Sequence, residues 1–150
     1  MSILTHHQIP FQVTGGLAAH LYGGKRPLLD IDLDIPEESF ELILEEVRPY
    51  LVFGPELHQG DIWKVELMTL NYEGQDIDLG GAYKTQIFNS QTGAWLDSPA
   101  DFSKVRMMEI SGLKIPVVDA EDLIRYKKIL SRTEDLEDVQ VVETWLKRRV

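Results

Sequence analysis

Asp30, Asp32 and Asp34 alternate with Ile31, Leu33 and Ile35 in the segment D-I-D-L-D-I. A β-strand has a side-chain period of two, so the three carboxylates share one face and the three aliphatics the other. Like charges two residues apart on a strand sit roughly 7 Å from one another and repel. Charged edges do keep sheets apart, but Lys is the usual guard and Asp is a poor strand former. A hard divalent cation, which takes oxygen ligands, relieves the repulsion directly. The row therefore reads as a metal-binding strand.

A second segment, D-I-D-L at Asp76 to Leu79, repeats the alternation. It follows a strand over Ile62–Leu70, in which Trp63, Val65, Leu67 and Thr69 alternate with Lys64, Glu66, Met68 and Leu70, and the turn Y-E-G-Q makes the two an antiparallel hairpin. Asp78, between Ile77 and Leu79, is the inner acid of this pair; Asp76 shares its face but adjoins the turn. Upstream, a short strand over Phe11–Val13 leads through Gly15 and Gly16 into a helix over Leu17–Tyr22, which Gly23 and Gly24 stop. A glycine pair at a helix start lets a phosphate approach unpaired backbone N–H groups. Alone it is equally a tight turn. Its value lies in the spacing, since the 13 residues Leu17 to Leu29 separate Gly16 from Asp30.

The remaining elements must hold these pieces. Pro36 closes the acidic strand, and Phe40, Leu42, Ile43 and Val47 give Glu37–Val47 an amphipathic helical pattern that Pro49 ends. A loop is expected around Gly54–Gly60 and a polar stretch after Gly81. Val105–Ile110 and Leu113–Val118 form a hairpin around S-G. Asp119 then caps a helix, with Asp122 three residues on, and that helix continues through D-L-I-R-Y-K-K-I-L-S-R-T-E-D-L-E-D-V. Its Lys127 is either a point charge facing the cleft or an exposed lysine in an i,i+4 lattice. The pairings of Arg132 with Asp135 and Asp138 read as structural salt bridges. His6, His7, His20 and His58 lack ligand spacing.

At 150 residues, 43% hydrophobic and 27% charged, the chain fits one globular domain over residues 1–150. The absence of cysteine excludes disulfides, zinc-thiolate sites and thiol nucleophiles, and makes a reducing cytoplasm the economical location. No apolar stretch approaches the ~18 residues of a membrane span, and no signal peptide is visible. A net charge of −10 argues against broad nucleic-acid binding, which needs many Lys and Arg to displace counterions. The terminal Lys147, Arg148 and Arg149 suit a helix end.

Gly15, Gly16, Asp30, Ile31, Asp32 and Leu33 together resemble the signature of the nucleotidyltransferase superfamily related to DNA polymerase β. The resemblance is nearest to small single-domain bacterial members, related to abortive-infection toxins and minimal nucleotidyltransferases. Many of these read G-G-x-A and then R-x-T-x-D-I-D. Gly15, Gly16, Ala18, Arg26, Asp30, Ile31 and Asp32 match, and Leu28 replaces the Thr. The segment T-G-A-W-L-D-S-P and the set Lys127, Arg132, Asp135 and Asp138 match more loosely.

The resemblance implies an α+β nucleotidyltransferase fold, with a mixed, mostly antiparallel sheet packed against helices. It also implies transfer of a nucleoside monophosphate from a nucleoside triphosphate such as ATP to an acceptor hydroxyl, releasing pyrophosphate. Asp30, Asp32 and Asp78 would hold Mg²⁺ or Mn²⁺, with Asp78 nearest the acceptor, and Gly15, Gly16, Arg26 and Lys127 would bind the nucleotide. The acceptor is left open. Two other readings stand beside this one. One is a degenerate nucleotide-binding module acting with a protein partner, for instance in a toxin–antitoxin pair. The other is a phosphohydrolase of the haloacid dehalogenase type, whose D-x-D strand D-I-D-L-D superficially matches, although Gly24–Pro27 interrupts the approach and the second D-I-D is left unexplained.

Overall fold

A computed structural model describes residues 1–149. A short helix, α1 (Ser2–His6), precedes β1 (Gln12–Thr14), α2 (Gly15–Leu21), β2 (Asp30–Ile35) and α3 (Ser39–Val47). Strands β3 (Leu51–Gln59), β4 (Trp63–Tyr72), β5 (Gln75–Gly81), β6 (Gln86–Asn89) and β7 (Ala94–Asp97) follow. The hairpin β8 (Arg106–Ile110) and β9 (Leu113–Val117) leads into α4 (Ala120–Leu130) and α5 (Thr133–Lys147).

The nine strands form one mixed sheet in the order β7-β6-β4-β5-β2-β1-β9-β8, with β3 added on β4. The pairings β2 with β5 and β1 with β9 are parallel; the others are antiparallel. This is the α+β architecture expected from the sequence. It differs from the doubly wound parallel sheet that the haloacid dehalogenase reading requires.

The alternation along β2 does what its pattern demands. Leu33 and Ile35 enter the core, where they join Val13, Met68 and Leu79 from the sheet with Ala18, Phe40, Ile43, Leu123 and Val142 from the helices. The odd-numbered aliphatics of β2 anchor the strand, and its even-numbered acids are left facing the opposite side. At the helix pair, Asp119 caps α4 by accepting from the N–H groups of Glu121 and Asp122. Asp122 does not reach back as in a full capping box; it pairs with Arg125 and Lys104.

Three expectations change. The segment expected as a loop, Gly54–Gly60, lies largely in β3, whose irregular pairing with β4 shifts register between Leu51 and Phe53 and again between Phe53 and Glu56. Gly54, at φ +76°, brings its backbone so close to the Leu67 carbonyl that a Cβ would sit 2.1 Å from it. A bulged strand has no clean alternation to read. The polar stretch after Gly81 contains the β6–β7 hairpin, whose residues Phe88 and Trp95 pack edge to face across the pair. The single closing helix is two helices, because Ser131 turns left-handed at φ 55° and ends α4. Among the described residues, no helix is long and apolar enough to cross a membrane.

Candidate active site

Residues directly across the sheet from one another form polar rungs on the face opposite the core. Asp32 on β2 stands beside Asp78 on β5 in the parallel ladder, flanked by Thr14 on β1 and Thr69 on β4. One rung further along, Asp30 stands beside Asp76, with Asn71 beyond it. The carboxylate groups of Asp30, Asp32 and Asp78 each present an oxygen, and these three lie within 4.8 Å of one another. Thr69 Oγ1 donates to Asp78 Oδ1 at 2.6 Å, which fixes that carboxylate and leaves Oδ2 for other work. Asp76 stays outside the triad and accepts from Asn71 Nδ2 at 2.7 Å.

Burial, followed by repulsion from Asp30, Asp78 and Asp34, pushes the Asp32 carboxyl up to about 7, with Lys127 opposing. Asp30 is raised as well, by burial and then by Asp78 and Asp76. Three oxygens converging in a half-buried place, each disfavouring the charge of the others, match the hard-oxygen donor set of a divalent cation. The residues therefore fit such an ion.

Gly15 begins α2 at φ +63°, and a Cβ on it would sit 2.3 Å from Asp32 Oδ2. The carboxylate packs on bare backbone there. At Gly16 a Cβ would meet only Arg26 Nη2 and Leu28 Cδ2, both at 3.7 Å. Sequence reasoning treated the two glycines alike; the structure packs the Asp32 carboxylate on Gly15 and gives Gly16 only ordinary van der Waals contacts.

Arg26 and Lys127 are joined through Asp138 on α5, which accepts from Arg26 Nη2 at 2.7 Å and lies 2.9 Å from Lys127 Nζ. Lys127 also pairs with Asp135 at 3.3 Å and is 3% exposed, so it is neither a surface lysine nor part of an i,i+4 lattice. Arg26 Nε is buried without a hydrogen-bond partner. Arg132 bonds Asp135, as expected, with Nε to Oδ2 at 2.7 Å, whereas Asp138 is taken by Arg26 and Lys127 instead.

A cleft of about 780 Å³ opens over this face. The triad, both glycines, Arg26 and Lys127 line it, as does Asp34, the member of the acidic row that the triad leaves out, together with residues that sequence reasoning had not assigned to a site, among them Gln12, Trp63, Val65 and Tyr126. Trp63 Nε1 donates to the Tyr126 hydroxyl at 2.7 Å, and the Arg132 guanidinium lies 5.1 Å from the Trp63 ring centroid. Burial raises the Tyr126 hydroxyl above the usual phenol range. Trp63, Val65, Leu67 and Thr69 do alternate in the sequence, but which strand faces each of them is not written there.

No protein-family model and no curated protein matches the chain. Solved structures do. The Thermotoga maritima protein TM1012, whose own assignment as a nucleotidyltransferase is provisional, superposes with a TM-score of 0.72 at 24% identity over 98% of this chain and 88% of that one. The lincosamide antibiotic adenylyltransferase LnuA, solved with lincomycin bound, gives 0.62 at 14% identity over 96% and 92%. The enzyme ANT(2")-Ia in complex with adenylyl-2"-tobramycin gives 0.63 at 16% identity over 97% and 84%. With the mixed sheet and its acidic rungs already described, these likenesses show that the chain has the nucleotidyltransferase fold.

Proposed function

We propose that this protein transfers a nucleoside monophosphate from a nucleoside triphosphate to a hydroxyl of a small-molecule acceptor and releases pyrophosphate. The observation that carries the reading is the convergence of Asp30, Asp32 and Asp78, from two neighbouring strands, within 4.8 Å. Lincomycin and an adenylylated tobramycin in structures of the same fold support a small acceptor.

Divalent cations of the Mg²⁺ or Mn²⁺ kind, held by these three carboxylates, would supply neutralisation of the triphosphate and polarisation of the reacting oxygens. The chain's own groups do the rest. The space beside Gly15 is taken by the Asp32 carboxylate, so phosphate oxygens would approach the first N–H groups of α2 at Gly16, where a Cβ would make only ordinary contacts with Arg26 and Leu28. Arg26, which lines the cleft with its Nη2 tied to Asp138, would donate to the same phosphates. Lys127, fixed by Asp135 and Asp138, adds positive charge near Asp32 without reaching into solvent.

In the transfer, the acceptor oxygen forms a bond to the α-phosphorus as the bond from that phosphorus to the bridging oxygen breaks. The electron pair leaves with pyrophosphate, and the hydroxyl proton passes to the free oxygen of Asp78. Incubation of the protein with each α-labelled triphosphate, Mg²⁺ and a panel of hydroxylated small molecules tests the reading. Labelled acceptor with equimolar pyrophosphate is the expected product. Triphosphate binding with no product from any acceptor would shift the reading to the binding module that Leu28, 38% exposed at the cleft, keeps open.

A further inference from the structure

One carboxylate of the acidic row, Asp34, lines the cleft but stands outside the triad of Asp30, Asp32 and Asp78. Asp34 lies one strand repeat beyond Asp32, in the rung formed by Gln12 on β1, Asp34 on β2, Gly80 on β5 and Leu67 on β4. Gln12, 3% exposed, donates from its amide Nε2 to Asp34 Oδ2 at 2.8 Å. A buried amide spent on one carboxylate oxygen holds that group in a single orientation. The other oxygen, Oδ1, would be 3.8 Å from a Cβ at Gly80, and Val65 Cγ2 would be 3.5 Å from the same point. Because residue 80 has no side chain, a notch stands open between Asp34 and the apolar surface of Val65 and Leu67, within the same cleft.

Among the described residues, Asp34 forms no salt bridge with Lys, Arg or His. The five lysine and arginine side chains lining the cleft are each paired elsewhere: Arg26 with Asp138, Lys127 with Asp135 and Asp138, Arg132 with Asp135, and both Lys104 and Arg125 with Asp122. A partly buried carboxylate without a countercharge is costly to keep, and a cationic group delivered from solution into an apolar-walled notch recovers that cost. Gln12 supplies one neutral hydrogen bond, which leaves most of the charge unmatched.

We propose that Asp34 binds a protonated amine of the acceptor, so that the acceptors of this protein are small hydroxylated amines; the proposal rests on the nucleotidyl-transfer reading. The amine then sits roughly 7 Å, one two-residue strand repeat, from the level of Asp32 and Asp78, where the reacting hydroxyl lies. Val65 and Leu67 exclude water around the ion pair.

The test uses the full chain saturated with Mg²⁺ and a triphosphate whose α,β bridge is methylene, titrated calorimetrically with glucosamine and tobramycin and with their N-acetylated counterparts. The amines are expected to bind at least tenfold more tightly than the acetamides. Asp34→Asn, whose side-chain oxygen still accepts from Gln12, is expected to erase that preference while keeping triphosphate affinity within twofold and an unchanged near-ultraviolet circular dichroism spectrum. Equal binding of amine and acetamide by the parent protein overturns the proposal. So does a preference that survives in Asp34→Asn, or failure of every amine to bind a parent that binds triphosphate. Weaker Mg²⁺ or triphosphate binding in Asp34→Asn would place the residue in the metal site and also overturn it. A parent that binds no triphosphate at all defeats the transferase reading itself, which separates the two failures.

Discussion

A methyl group on Gly15 would lie 2.3 Å from Asp32 Oδ2, so the first residue of α2 and the central acid of β2 occupy one shared space. The atom in the way ends a side chain that can rotate, and Gly15→Ala should therefore displace the carboxylate more than the backbone. The left-handed φ adds about 1–2 kcal/mol of strain. Gly16→Ala meets only ordinary contacts and should change stability by less than about 1 kcal/mol. Thermal unfolding with and without millimolar Mg²⁺ or Mn²⁺ checks both: a metal-dependent rise in midpoint is expected for the parent and Gly16→Ala and not for Gly15→Ala. Equal rises in all three would show that Asp32 is not held through this contact.

Asp32 and Asp78 are neighbours in one rung, yet their losses should differ. Asp32 is central to the triad, whereas Asp78 is steadied by Thr69 and offers a free oxygen toward the cleft. Asp78→Asn is expected to keep Mg²⁺-dependent triphosphate binding and to lose transfer by about 10²–10⁴, the usual worth of a general base. Asp32→Asn should impair both. Calorimetry alongside labelled-product formation makes the comparison, and full transfer by Asp78→Asn would remove that residue from the catalytic set.

Asp138 holds Arg26 and Lys127 from the far side of the cleft, and its side chain is 5% exposed. Removing one member of a buried pair leaves an uncompensated charge, so Asp138→Asn should cost about 3–5 kcal/mol in denaturant unfolding. Arg125→Ala removes an ion pair to Asp122 whose arginine is 61% exposed, and should cost no more than about 1 kcal/mol. Comparable losses in the two variants would mean that the network is not the anchor of α5.

The acid side of the pH dependence of stability includes a contribution from Asp135. Burial works against its charge, but the hydrogen bond from Arg132 and the positive charges of Lys127 and Arg132 outweigh it and hold the carboxyl below the ordinary range. A lowered folded-state value stabilises the fold at all pH values above the unfolded value of about 3.9, and that contribution disappears as pH falls through the lower folded value. Between pH 5 and pH 2 the parent should therefore lose more stability than Asp135→Asn. Parallel urea titrations across that range read the difference, and parallel curves would contradict it.

Much of the candidate site was legible because it is written in local patterns. Period-two alternation placed Asp30, Asp32 and Asp34 on one face, the glycine pair marked the start of α2, and D-I-D-L supplied the second acidic strand. Asp78 stood out as the acid between two aliphatics, and the parallel register puts it opposite Asp32. Asp119 at the start of α4 was equally plain, since capping depends on the next few residues alone.

What failed to show in the sequence depends on partners distant along the chain. Strand β3 exists because β4 pairs with it despite two register shifts, and a bulged strand carries no alternation of its own. Lys127 could not be placed from helical spacing, because its partner Asp138 lies eleven residues on and meets it only after the left-handed turn at Ser131 folds α5 back. The notch at Asp34 is more remote still, since it takes Gln12, Gly80 and Val65 from three other strands. Side-chain periodicity determined which face the acids would occupy; only the order and register of the strands decided which of them meet, because pairing joins residues that no local repeat connects.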